Sequence, residues 1–214
     1  MRIYNLTLGL VATMGLAGCG GLDLDFGMVN KRAAPEKVSV ADVVVAGPPG
    51  YCVDPDASKM EGQDGAFVLL GSCASIAQDA EQPSPAAPGV LTVTVSSNAT
   101  DGAAIAESLE QFAAFFETDE GRATLSRTGQ ADTVSVEDIR IEDGVLLIQA
   151  TDTSPVVDGI APDVWRALFG VNDRLLSASV NGFAAQPLSK EAGFIMLDAL
   201  MRRILAENRA AQAG

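Results

Sequence analysis

The residues of this chain that could do chemistry fall into a few groups. Asp54, Asp56, Glu61 and Asp64 crowd one polar stretch. Closely spaced carboxylates of that kind are ligands for a hard cation such as calcium. Asp152-Thr153-Ser154 follows the apolar run Val145-Leu146-Leu147-Ile148 and places a carboxylate at a strand end. Proton-sharing acid chemistry needs a second carboxylate facing it. Ser72 stands beside a cysteine in Gly71-Ser72-Cys73-Ala74-Ser75. The chain contains no histidine, so a Ser-His triad cannot form, and Ser–Lys catalysis would need Lys59 or another of the few lysines close in space. The same absence removes the commonest general base near neutral pH and the commonest metal ligand. Neither Gly-x-x-x-x-Gly-Lys nor Gly-x-Gly-x-x-Gly occurs, so nucleotide binding has no support.

Two of these stretches resemble known motifs and depart from them. Asp54-x-Asp56-x-Ser58 is similar to the opening of an EF-hand calcium loop, but Lys59 stands where glycine is needed and Gly65 where the closing glutamate belongs. Asp152-Thr153-Ser154 resembles the Asp-Thr-Gly/Ser element of aspartic proteases, yet the chain has no second copy and Pro155 follows it. A capped strand end and turn accounts for that stretch. The reading is a non-enzyme with no catalytic residue, no metal and no other cofactor. Asp54, Asp56, Glu61 and Asp64 are the candidates for a looser calcium site.

The N-terminus carries the most specific signal. Arg2 precedes an apolar run from Ile3 to Leu16, closed by the small residues Ala17 and Gly18. That is the layout of a secretory signal, and the run is shorter than the roughly 20 apolar residues of a spanning helix. Leu16-Ala17-Gly18-Cys19 resembles the lipobox of bacterial lipoproteins. The resemblance implies cleavage before Cys19, thioether lipidation of that cysteine and acylation of the new amine by a palmitate-type chain. One acyl chain holds a protein only marginally, and several make release negligible. Gly20 follows instead of the aspartate that marks inner-membrane retention in enteric bacteria, which favours the outer membrane. The expected localisation is periplasm-facing and lipid-anchored.

With Cys19 lipidated, Cys52 and Cys73 remain. In an oxidising compartment such a pair is expected to form a disulfide, the alternative being two separate buried thiols. The chain has 214 residues, with 14 Lys and Arg against 28 Asp and Glu and a net charge of −14. Removing the leader takes Arg2 away and leaves the balance still more acidic. Such a surface excludes nucleic acid as a partner and opposes lying flat on anionic lipid.

The elements follow from periodicity and turn chemistry. Residues 1–18 read as the signal peptide, 19–37 as the lipidated tether, 38–209 as one globular domain and 210–214 as a tail. Val38-Ser39-Val40 and Val43-Val44-Val45 are β-branched, and Gly47-Pro48-Pro49-Gly50 forces a turn. Tyr51-Cys52-Val53 and Ala66–Leu70 read as strands, so that Cys52 and Cys73 sit on two strand-like segments whose antiparallel pairing would bring them together. Val90–Val95 alternates as a half-buried strand. Ile105, Leu109, Phe112 and Phe116 fall at helical spacing with Asp101 as N-cap, and a short helical turn runs on to Arg127. Asp143-Gly144 and Asn172-Asp173 join two strand pairs, 133–150 and 164–180. Leu197, Leu200, Met201, Ile204 and Leu205 form the clearest helix, with Ser189 as N-cap and Arg202, Arg203 and Arg209 toward its C-terminus. Trp165, the one tryptophan, falls on a strand as a core residue or a partner surface.

Hairpins with segregated helices predict an α+β fold, an antiparallel β-sheet packed against helices. Gly50-Tyr51-Cys52-Val53 after a Pro-rich turn is followed by a strand, a helix, two hairpins and a closing helix, and from Val43 to Leu205 this order is similar to the PsbP-like fold. The resemblance implies an α/β/α sandwich and a role in binding or supporting larger assemblies. The expected function is therefore a membrane-anchored periplasmic lipoprotein with a non-catalytic binding or assembly role in the cell envelope and a protein partner there. The alternative is a small-molecule or metal-ion binding lipoprotein serving a membrane transport system.

Overall fold

β-branched alternation and paired turn residues build an antiparallel sheet, which a computed structural model describes over residues 31–62, 65–155 and 159–213. The lipobox and Asp64 lie outside the described residues. The strands are β1 (Lys37–Val40), β2 (Val43–Ala46), β3 (Tyr51–Val53), β4 (Gly65–Ser72), β5 (Val90–Ser96), β6 (Val134–Glu142), β7 (Val145–Asp152), β8 (Ile160–Val171) and β9 (Arg174–Phe183). The helices are α1 (Cys73–Ala77), α2 (Gly102–Phe116), α3 (Asp119–Leu125) and α4 (Lys190–Gln212). A seven-stranded sheet runs in the order β3-β4-β5-β9-β8-β7-β6, and β1 and β2 form a separate two-stranded sheet. Every pairing is antiparallel, which makes the protein α+β.

The turns act as their residues dictate. Asp143 and Gly144 sit at φ 50° and 75°, and Asn172 and Asp173 at 49° and 57°. Two successive left-handed residues match the twist of a two-residue hairpin, and Asn, Asp and Gly tolerate that region best.

Each face of the sheet buries a different helix layer. On one face α4 and β2 lie over the central strands. Val43, Leu70, Leu91, Phe169, Leu176, Leu197, Leu200 and Ile204 are buried there. Full burial of each large side chain is worth about 1.5–3 kcal/mol. The Ser189 side chain caps α4 by accepting from the Ala192 N–H at 3.1 Å. Asn208 ties the far end of α4 to β2: its amide accepts from Val44 N–H at 2.9 Å and donates to Val44 O at 2.8 Å. On the opposite face, Leu109 and Phe116 of α2 and Leu125 of α3 pack on Leu146, Ile148, Ala150, Val164 and Leu168. Asp101 caps α2, accepting from Ala103 N–H at 2.8 Å.

Three boundaries differ from the sequence expectation. Residues 31–37, expected in the tether, belong to the folded body: Lys31 pairs with Asp79 at 2.8 Å, and the Arg32 and Val53 N–H groups donate to Ala77 O and Pro35 O. No apolar period marks these residues, because ion pairs and backbone bonds hold them. Helix α4 runs through Gln212 into the expected tail, where Gln212 bonds Asn172 at 2.6 Å. Cys73 opens α1 and is not a strand residue. Among the described residues no helix is long and apolar enough to cross a membrane.

Candidate functional site

The Cys52–Cys73 disulfide forms, with Cα atoms 4.8 Å apart. Antiparallel register sets Cys52 opposite Gly71, and the first turn of α1 brings Cys73 back over β3. In the chain-entropy model a clip across a 21-residue separation is worth about 3 kcal/mol. It pins α1 and the Pro-rich segment after it against the sheet. Tyr51 is buried, and its hydroxyl donates to Ala87 O at 2.8 Å. Burial pushes that phenol up to about 12. Gly50 has φ +85°, and a Cβ there would come within 2.6 Å of the Ser84 and Pro85 backbone, so only glycine lets the segment lie this close.

These contacts make one wall of a groove. Period-two alternation sends Leu70, Leu91, Val93 and Val180 toward α4. Leu69, Gly71, Val90 and Phe183 therefore face the other way. Helices α2 and α3 pack on β6, β7 and β8, and of the described helices it is the short α1 that lies against β3 and β4 on that face. The groove there holds about 470 Å³. Its floor is Leu69, Gly71, Val90 and Phe183, its walls are Ile76 of α1 and Pro85 and Pro88, and Arg32 and Asp54 stand at its rim. That volume and apolar lining are those of a small-ligand cleft.

The other candidates from the sequence are placed as follows. Asp54 lies at the groove rim, but its carboxylate accepts from the Asp56 and Ala57 N–H groups at 3.0 and 3.1 Å, a local turn that answers its charge. Asp56 lies 3.7 Å from Arg32. Among the described residues no group of three or more acids, cysteines or histidines is placed to hold a metal, so Asp54, Asp56 and Glu61 do not converge. Ser72 sits at the groove wall 3.3 Å from the Ser84 hydroxyl. Asp152 is buried on the α3 side and accepts from Arg127 and Ser154 N–H groups, a strand-end cap.

Trp165 is buried, and its indole N–H donates to Lys190 O at 2.9 Å. Arg140 lies over its ring and over Phe194. Nearby, Glu137 accepts from Lys190, Thr151 and Gln149, and the Lys190 ammonium leads in holding its carboxyl below the usual range. The cavity among Gln149, Asp163, Trp165 and Lys190 measures only about 10 Å³, room for no more than a water. The groove was not foreseen from sequence. Its one local signal was the polar side of the β5 alternation, Thr92 and Thr94, which marks a face without saying what covers it. Compared with models of known protein families and with curated proteins, the chain matches none.

Proposed function

We propose that this protein is a lipid-tethered, periplasm-facing envelope protein with a non-enzymatic binding role, held to the membrane through Cys19 and binding through the groove on the open part of its sheet. The observation that carries the binding role is the groove itself: about 470 Å³ of apolar cleft built by a disulfide, a buried tyrosine and a required glycine. Walls fixed by covalent and buried contacts are pre-organised, which lowers the ordering cost of binding. The alternative expected from the sequence, a small-molecule carrier for a membrane transport system, draws support from the same volume, which is ligand-sized.

The test is made in intact cells. A photo-crosslinking residue at Phe183 is expected to capture a discrete species, and the parent chain to fractionate with membranes. The Cys19→Ala variant is expected in the soluble fraction with that species lost. Unchanged membrane fractionation of Cys19→Ala would overturn the anchor, and the absence of any crosslink at Phe183 would overturn the binding role.

A further inference from the structure

We propose that Arg166, on β8 at the margin of the α2 layer and reaching Ser179 of β9, is the anion-binding end of a site that continues over β5 and β4, and that the ligand is a single-chain amphiphile with a carboxylate head. This rests on the binding reading of the groove and names its ligand class.

Five described cations are half-buried: Arg122, Arg127, Arg140, Arg166 and Arg174. Four of them have a carboxylate within 4.0 Å: Asp119 for Arg122, Asp152 for Arg127, Asp138 and Glu142 for Arg140, and Asp42 for Arg174. Among the described residues Arg166 has none, in a chain with 28 acids and 14 bases. Its Nε donates to Ser179 Oγ at 3.1 Å, and its two terminal amino groups meet no described acceptor. Burial pushes the guanidinium below its ordinary range. The fork of a half-buried guanidinium with no acid beside it is free to take a carboxylate bidentately.

Position links this cation to the groove. Across the sheet Arg166 stands opposite Ser179, Ser179 opposite Thr92, and Thr92 opposite Leu69. All four share the face turned away from α4, and Leu69 is part of the groove floor. Strands lie about 4.8 Å apart, so the guanidinium is roughly 10–15 Å from the apolar end. One extended molecule reaches both, with its head on Arg166 and its tail over Leu69 and Val90. The head carries one charge, because Arg166 stands alone and the cation at the far rim, Arg32, faces Asp56. A planar carboxylate fits the guanidinium fork bidentately. The groove volume suits one chain.

Decanoate, below its micelle concentration, and decanol are titrated by calorimetry into the full-length Cys19→Ala chain. Decanoate is expected to bind with one-to-one saturation and at least tenfold more tightly than decanol. Arg166→Gln is expected to bring decanoate down to the decanol level and leave decanol unchanged. The Arg166 Nε–Hε NMR resonance of the parent is expected to shift with decanoate and not with decanol, which gives a reading even where Arg166→Gln fails to fold. Equal decanoate affinity in parent and Arg166→Gln, or an unmoved resonance, overturns the assignment. Decanol binding as tightly as decanoate overturns the role of Arg166 and leaves the groove intact. Binding of neither compound at millimolar concentration overturns the groove as well.

Discussion

Asp152 keeps a charge inside the protein through hydrogen bonds to backbone groups. It is 2% exposed. Burial by itself raises its proton affinity, but the Arg127 N–H at 2.8 Å and the Ser154 N–H at 3.0 Å outweigh it, and the carboxyl is held below its usual range. The stabilisation this gives is present above the unfolded value of about 3.9 and is lost as pH falls through the folded one. Replacing Asp152 by Asn turns an amide N–H toward one of two N–H donors. The expected loss is about 1–3 kcal/mol at neutral pH, with a shallower acid limb than the parent between about pH 5 and pH 2. Thermal melts across that range test it, and equal stability of parent and variant at neutral pH would show that the cap contributes nothing. A catalytic aspartate behaves differently: its removal commonly leaves stability unchanged or raises it.

At the scale of elements, the sequence was readable wherever one local rule decided the outcome. Asp143-Gly144 and Asn172-Asp173 specify hairpins by backbone preference alone, and both stand where expected. Asp101 and Ser189 cap α2 and α4 by short-range hydrogen bonds. The β5 alternation put Val93 and Val95 on the buried face, where both are fully buried. Partner choice between distant strands was not readable. β9 enters beside β5, which pairs Val93 with Ala178 from a distant part of the chain, and no local pattern encodes that neighbour. The extent of α2 and α3 was equally hidden, so the open part of the sheet, the groove and the place of Arg166 were hidden with it. Cys73 read as a strand residue because an apolar run leads into it, and one turn of helix held by the disulfide overrides that pattern. Close approach of α4 to the sheet was also invisible in sequence. Gly193 sits where a Cβ would come within 2.6 Å of Trp165 Cδ1. Alanine has the better helix propensity by about 1 kcal/mol, yet Gly193→Ala is expected to destabilise by roughly 1–3 kcal/mol because the buried indole has to move. Trp165 is the one tryptophan, so its emission reports the displacement directly. A rise in melting temperature with unchanged emission would mean that α4 stands off the sheet.

At the scale of the molecule, opposite charges pair locally and the sum still repels. Lys31–Asp79, Lys37–Glu207 and Arg203–Glu207 are close pairs on the surface. Exposed pairs of this kind are worth about 0–1 kcal/mol each. Edge strand β6 places Glu137, Asp138, Arg140 and Glu142 along its length and is bulged between Val136 and Asp138. Charges and a bulge on an edge discourage pairing with another sheet, which suits a protein expected to be concentrated on a membrane. Against these local arrangements stands a net charge of −14. Self-repulsion of that size disfavours the compact state, and it acts over longer distances than a contact pair does. Screening shortens the Debye length from about 30 Å at 0.01 M salt to about 10 Å at 0.1 M and weakens the long-range term first. Melting temperature is therefore expected to rise with sodium chloride between roughly 0.01 M and 0.5 M. A gain of about 1 kcal/mol would appear as about 2–4 °C for a chain of this size. If the surface pairs governed stability instead, the same titration would lower the melting temperature, because salt weakens exposed ion pairs. The sign of that slope, measured on the Cys19→Ala chain without detergent, separates a body held together by its two apolar layers from one that depends on its charged surface.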